Sequence, residues 1–235
     1  MENQREWIDK TLGRMVLRVN ARARNIIFRT KGDGIYVTVP PRTSQVELVR
    51  ALEQLRPRLE KSRSKVPEKQ KMGWGYQLDL PRFQMRIVEG KGSKIVARYR
   101  EGGMNIECPS DTDFDDASLQ VWLEKVIERG LKRTASACLP KRLMTLAHQA
   151  GLTYTGVKIT SSKSRWGSCS AGKSINLSCY LLRLPDHLID YVLLHELCHT
   201  VEMNHGERFW ALLNSLTDGK AHALRNEMKQ YNTGL

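Results

Sequence analysis

No stretch of this 235-residue chain approaches the roughly 18 uninterrupted apolar residues that a membrane-spanning helix needs, so no such span is expected. The opening residues, Met1-Glu-Asn-Gln-Arg-Glu-Trp-Ile-Asp-Lys, carry no apolar stretch behind their charges, and no signal peptide is expected. Cysteine is sparse. Cys108, Cys138, Cys169, Cys179 and Cys198 are scattered, odd in number, and form no Cys-x-x-Cys pair, so no thiolate zinc knuckle is visible. They read as small buried side chains in a reducing compartment. Neither an internal repeat nor a low-complexity tract is visible. With 40% hydrophobic residues the chain can bury a proper core, which argues against long-range disorder. The expectation is a soluble, cytoplasmic protein of one large or two small domains.

What the chain has in excess is positive charge, +13 in all, and it is unevenly spread. Residues 1–110 hold 23 Lys and Arg against 12 Asp and Glu, a net of +11, whereas residues 111–235 hold 15 against 13. A basic half joined to a near-neutral half suggests a surface that attracts polyanions, nucleic acid among them, beside a part with another task. No nucleic-acid-binding motif accompanies the charge, and a plain solvated face accounts for it equally well.

The first half reads as β-rich. Leu17 to Arg24 alternates apolar and polar residues, the period of a half-buried strand. Gly32-Asp33-Gly34 is a turn signal, and Ile35–Val39 follows as a second strand ended by Pro40-Pro41, so the two strands look like a hairpin. Ser44 and Glu47 make a capping box for a helix carrying Val46, Val49, Leu52, Leu55 and Leu59, which Pro57 should kink or end. Residues 61–73 read as an exposed linker. Strand signals return at Phe83–Val88, Lys94–Tyr99 and Met104–Glu107. In the second half, Asp111, Asp113, Asp115 and Asp116 suit a helix start, and Pro140 should open a second helix stopped by Gly151. A strand (Tyr154–Thr160), a polar loop (Ser161–Lys173), another strand (Ile175–Leu181) and a helix from Pro185 follow. The fold class expected is α+β, with a β-rich N-terminal region over 1–110 and a second domain over 111–235.

The chemistry is concentrated in Tyr191-Val-Leu-Leu-His-Glu-Leu-Cys-His-Thr-Val-Glu-Met-Asn-His205. Within it, His195 and His199 are four residues apart on a helix, so both imidazoles can reach one metal ion from the same face. Glu196 lies about 100° round that helix, beside the pair, and can reach a water held by the metal without ligating it. Leu188, Ile189, Val192, Leu193, Leu194, Leu197, Cys198 and Val201 make the helix apolar on nearly every side, hence buried. Burying two histidines and a glutamate without partners is costly, and a metal removes that cost for all three. Met203-Asn204 can stop the helix, and His205 just beyond can turn back as a third ligand. Three histidines with an open fourth position describe a catalytic site, since a structural one is closed by four protein ligands. Upstream, Ser162-Lys-Ser-Arg-Trp-Gly-Ser-Cys-Ser170 offers Arg165 as a group for negative charge on a substrate, Trp166 as an anchor and Gly167 for a tight turn. For Arg165 a surface salt bridge is an equally good reading.

At these residues the chain resembles the YgjP-like metallopeptidase family, related to the SprT-like zincins. The resemblance rests on the strand-hairpin opening with Pro40-Pro41, Ser164-Arg-Trp-Gly-Ser-Cys169, Ile175-Asn-Leu177, Leu184-Pro185, Asp190-Tyr-Val192, His195-Glu-Leu-Cys-His199, and Asn204-His205 with Phe209-Trp210. It implies a zincin-like fold, zinc (Zn2+) on His195, His199 and His205, and Glu196 as general base. The interval from His199 to His205 equals that of the metzincins, but Glu202 stands where their turn glycine would be, which argues against that group.

The function expected is a zinc-dependent hydrolase, foremost a metallopeptidase, because the metal helix follows a strand (Ile175–Leu181) that could offer its edge to an extended peptide. Hydrolysis of a nucleoside triphosphate to pyrophosphate is the rival enzyme reading, suited by the basic half. A nucleic-acid-binding module with a vestigial metal site is the third.

Overall fold

The computed structural model describes residues 4–64 and 70–231. The chain divides into two compact units, the first ending at Gln70 and the second starting at Lys71. The architecture is α+β, as expected, with three small sheets and five α-helices among the described residues. None of those helices is long and apolar enough to cross a membrane.

In the first unit, β1 (Gln4–Asp9), β2 (Gly13–Val19), β3 (Ile27–Lys31) and β4 (Gly34–Val39) precede α1 (Gln45–Arg63). The sheet order is β1-β2-β4-β3, with β2 and β4 parallel and the outer pairs antiparallel. Two expectations change here. The strand expected over Leu17–Arg24 starts earlier and stops at Val19, and Ala21 and Ala23 lie in the turns that follow. The hairpin at Gly32-Asp33-Gly34 joins β3 to β4, so the first strand becomes the parallel neighbour of β4. Met15, Ile35, Val37 and Val39 face α1, which replies with Leu52 and Leu59. Its capping box forms as expected: the Ser44 hydroxyl accepts from the Glu47 N–H at 3.2 Å, and the Glu47 carboxylate accepts from the Ser44 N–H at 2.8 Å. Pro57 neither ends α1 nor interrupts it. It is exposed, so water can satisfy the carbonyl it leaves free, while Leu52 and Leu59 on either side of it stay buried. Val46 and Val49 point outward. Of the expected linker 61–73, the start belongs to α1, and residues 65–69 lie outside the described ones.

In the second unit, β5 (Gln77–Leu80), β6 (Phe83–Glu89), β7 (Val96–Arg100) and β8 (Gly103–Cys108) precede α2 (Ala117–Ala150). The order is β5-β6-β8-β7 with β6 and β8 parallel, the same order and directions as in the first sheet. A ββββα arrangement therefore occurs twice, although no repeat was expected. The two copies share little sequence, but they share the requirement for glycine where the fourth strand begins. A Cβ on Gly34 would lie 2.5 Å from the Arg14 carbonyl oxygen, and one on Gly103 would lie 1.9 Å from that of Gln84.

Helix α2 is capped by Asp116, whose carboxylate accepts from the Ser118 N–H at 2.7 Å, and it ends at Gly151. It is one helix of 34 residues where two were expected. Leu131, Ala135, Leu139 and Leu143 are all fully buried, and this stripe continues through Pro140. Packing along it outweighs the roughly 3 kcal/mol that an interior proline costs. Helix α2 packs on β6 and β8 and also on the elements that carry the site.

A third sheet, order β10-β11-β9, combines β9 (Gly156–Thr160), β10 (Gly167–Cys169) and β11 (Ser174–Ser178). A 3-10 turn (Cys179–Arg183) leads from β11 to α3 (Asp186–Cys198), followed by α4 (Glu207–Leu216) and α5 (Ala221–Met228). Because β11 is the central strand, it has no free edge, and the expectation that it receives a peptide is corrected. The edge strands are β9 and β10, and β10 falls inside the loop expected over Ser161–Lys173.

Candidate metal centre

Helix α3 is buried on nearly every side, as its composition demands, and two arginines fix its start. Arg142 of α2 donates to the Asp190 carboxylate, with Nη2 to Oδ2 at 2.8 Å, and to the Asp186 carbonyl at 3.1 Å. Arg82, in the turn before β6, donates two hydrogen bonds to the Asp186 carboxylate at 2.9 and 2.7 Å. These bonds hold the Asp186 carboxyl below its ordinary pKa.

The last turn of α3 presents His195 and Glu196, and His199 caps it. The helix thus stops sooner than the expected Met203-Asn204. The chain turns back through residues 200–204, so that His205 rejoins the pair. Nε2 of His199 lies 3.2 Å from Nε2 of His195, and Nε2 of His205 lies 3.1 Å from that same atom. Tetrahedral zinc, with bonds to nitrogen of about 2.0–2.1 Å, sets its ligand nitrogens about 3.3 Å apart. Both spacings from His195 match such an ion, the ligand atoms of all three imidazoles lie within 4.8 Å of one another, and they form the one group of potential metal ligands found among the described residues.

Two features prepare these rings as ligands. The Nδ1–H of His199 donates to the Glu202 carbonyl at 3.0 Å, which leaves Nε2 with its lone pair. The position that lacks a metzincin-like glycine thus supplies an orienting carbonyl. Burial, aided by its two neighbouring imidazoles and Arg225, lowers the His195 pKa to about 3 and keeps that ring neutral. His205 is shifted down by the same main cause.

Glu196 is 5% exposed, and its Oε2 has no hydrogen-bond partner among the described residues. Burial raises its pKa to about 7, with the charge of Arg165 pulling the other way. A buried carboxyl with a free oxygen beside a metal-sized gap is what a general base requires. Arg165 itself is exposed at the rim. It lines both a cleft of about 330 Å3, shared with His195, Glu196, His205 and Trp166, and a neighbouring polar recess walled by Ser162, Ser168, Asn176 and Ser178. Trp166 packs on the core as expected. The role expected of Gly167 changes: a Cβ there would come 2.6 Å from Glu196 Oε1 and 2.7 Å from its Cγ. The residue is glycine so that the edge strand can approach the carboxylate.

Sequence reasoning gave no role to the aromatic support. Phe209 is fully buried and meets all three imidazoles, with ring centroids 4.9, 4.6 and 4.7 Å from His195, His199 and His205. The Trp210 indole N–H donates to the His205 carbonyl at 3.1 Å, while its ring stacks on His222 at 4.5 Å and lies under Arg225. A signal was present: two adjacent aromatics, in a chain with only 7% of them, follow the third histidine by four and five residues. Away from the cluster, His187 pairs with Glu227 of α5 at 2.8 Å.

The solved structures similar to this chain include two metallopeptidase zymogens, Pyrococcus abyssi abylysin at 23% identity and Methanocaldococcus jannaschii jannalysin at 21%. Each match covers 37% of this chain and 90% of the other, with a TM-score of 0.34. No curated protein sequence matches significantly. The model of the YgjP-like metallopeptidase domain matches residues 24–231, which takes in β3 to α5 and every residue of the site, so the chain belongs to the YgjP-like metallopeptidase family.

Proposed function

We propose that the protein is a zinc-dependent peptidase in which His195, His199 and His205 hold the metal and Glu196 is the general base. The observation that carries this reading is the convergence of three Nε2 atoms beside a buried carboxylate with an unpartnered oxygen. Zinc bound there supplies a Lewis acid for a carbonyl oxygen and makes adjacent water more acidic. Glu196 takes the proton from the attacking water at Oε2 and passes it to the leaving amine. Arg165 faces the charge that develops on the carbonyl oxygen. A peptide is favoured over a nucleotide because β10 pairs with β11 on one side only, leaving the backbone of Gly167–Cys169 to receive an extended chain beside Glu196.

The test uses zinc-loaded protein with an unfolded protein substrate and, separately, with nucleoside triphosphates. Peptide release without pyrophosphate supports the reading, and the converse result replaces it with the nucleotide hydrolase. Glu196→Gln should keep one zinc per chain while kcat falls about a thousandfold. Near-normal turnover in that variant would show that another group is the base.

A further inference from the structure

We propose that the face of the β1–β4 sheet turned away from α1 binds single-stranded nucleic acid through its phosphates. Strand register assigns this face. Residues that pair with Val37 and Ile35 lie against α1, so Tyr36, its cross-strand partner Arg29, and Arg18 and Lys31 on the same side are turned outward. Arg18, Arg29 and Lys31 are exposed and make no salt bridge among the described residues. Arg14 on the same face is already neutralised by Glu6 and Asp33. The free cations are gathered around one ring: the Lys31 ammonium lies 3.9 Å from the Tyr36 centroid and the Arg18 guanidinium 5.4 Å. Cation–π contact holds them in place in advance of any ligand. Residues 4–64 carry 14 Lys and Arg against 6 Asp and Glu, so more than half of the positive charge has no counterpart within the unit.

The occupant follows from charge and shape. Arg29 and Lys31 stand two residues apart on one strand, about 7 Å, which suits neighbouring phosphates of an extended polynucleotide. Ile8 and Ile27, 76% and 41% exposed on this face, give unstacked bases an apolar surface that a duplex would not use. The unit's one described helix, α1, lies on the other face and so does not enter a duplex groove from this one. The twin sheet supports the assignment. At the register positions of Arg29 and Lys31 it carries Arg98 and Arg100, also exposed. There, however, Asn105 replaces Tyr36 and Glu107 pairs with Arg98, so the stronger site is on the first sheet.

The experiment is fluorescence anisotropy with labelled 12-nucleotide oligo(dT) and oligo(U) on the full zinc-loaded chain between 50 and 200 mM salt, read without any turnover. Three phosphate contacts predict a log–log salt slope of about −2. Replacing Arg18, Arg29 and Lys31 together with alanine should weaken binding at least tenfold and flatten the slope, with zinc content and peptide hydrolysis unchanged. Arg29→Glu alone should weaken it several-fold. Unchanged affinity in these variants would overturn the proposal, as would tighter binding of a 12-base-pair duplex or of phosphatidylserine vesicles. Loss of peptidase activity leaves this site untouched, so the two readings fail separately.

Discussion

One methyl group at Gly167 is enough to test how closely β10 must approach Glu196. A Cβ there would sit inside the contact distance of the carboxyl carbon as well as an oxygen, and the carboxylate is too enclosed to swing aside freely. Gly167→Ala should therefore displace Glu196 by a fraction of an ångström to about 1 Å. A shift of that size costs about 100-fold in kcat/KM where positioning matters. Zinc per chain should stay at one, because the three imidazoles stand on α3 and the following loop. A normal rate in this variant would mean that the carboxylate tolerates displacement and is not held by the strand. The two helical candidate ligands and the candidate base were legible in the sequence because helical spacing alone brings His195, His199 and Glu196 together. The third imidazole was legible only as a chain direction. Its placement rests on Phe209 and on the bond from the Trp210 indole to the His205 carbonyl, and a backbone carbonyl leaves no trace in residue identity.

At the scale of elements, α2 sets the frame for the site, and Pro140 is its anomaly. The proline leaves the carbonyl of Ser136 without its helical donor, on an exposed stretch where water can replace it. Pro140→Ala restores that bond while keeping every buried contact of Leu139 and Leu143. Stability to urea should rise by about 2 kcal/mol, less than the full helix penalty because alanine also loosens the unfolded chain. The check is a higher midpoint with an unchanged denaturant slope; a lower midpoint would show that packing needs the bend proline gives. The same residue explains where the sequence misleads. Local propensity reads Pro57 and Pro140 as helix boundaries, whereas the helices continue because leucines on both sides of each proline are buried in cores built from elements distant in sequence. Strand positions in β6, β7 and β8 were legible from alternation between glycine turns. The parallel pairing of β2 with β4 was not, since alternation gives a period but no partner.

For the whole molecule, the consequence of two ββββα copies is two separate cores. Leu12 to Leu59 form one cluster and Met72 to Ala221 the other, and among the described residues no buried one belongs to both. The first is small, and units of about 60 residues bury a modest fraction of their surface and are only marginally stable. The second also contains the candidate metal centre. A ligand that binds only the folded state stabilises the unit that holds it, by about 4 kcal/mol at a thousandfold excess over Kd. Calorimetry of the full chain should accordingly show two transitions. Removing zinc with a chelator should lower the one belonging to residues 71–235 by roughly 10 °C and leave the other in place. Two transitions moving together would mean that the units unfold as one. Two transitions that both ignore the chelator would mean that the histidine cluster binds no metal of consequence, and the peptidase reading would fall with it.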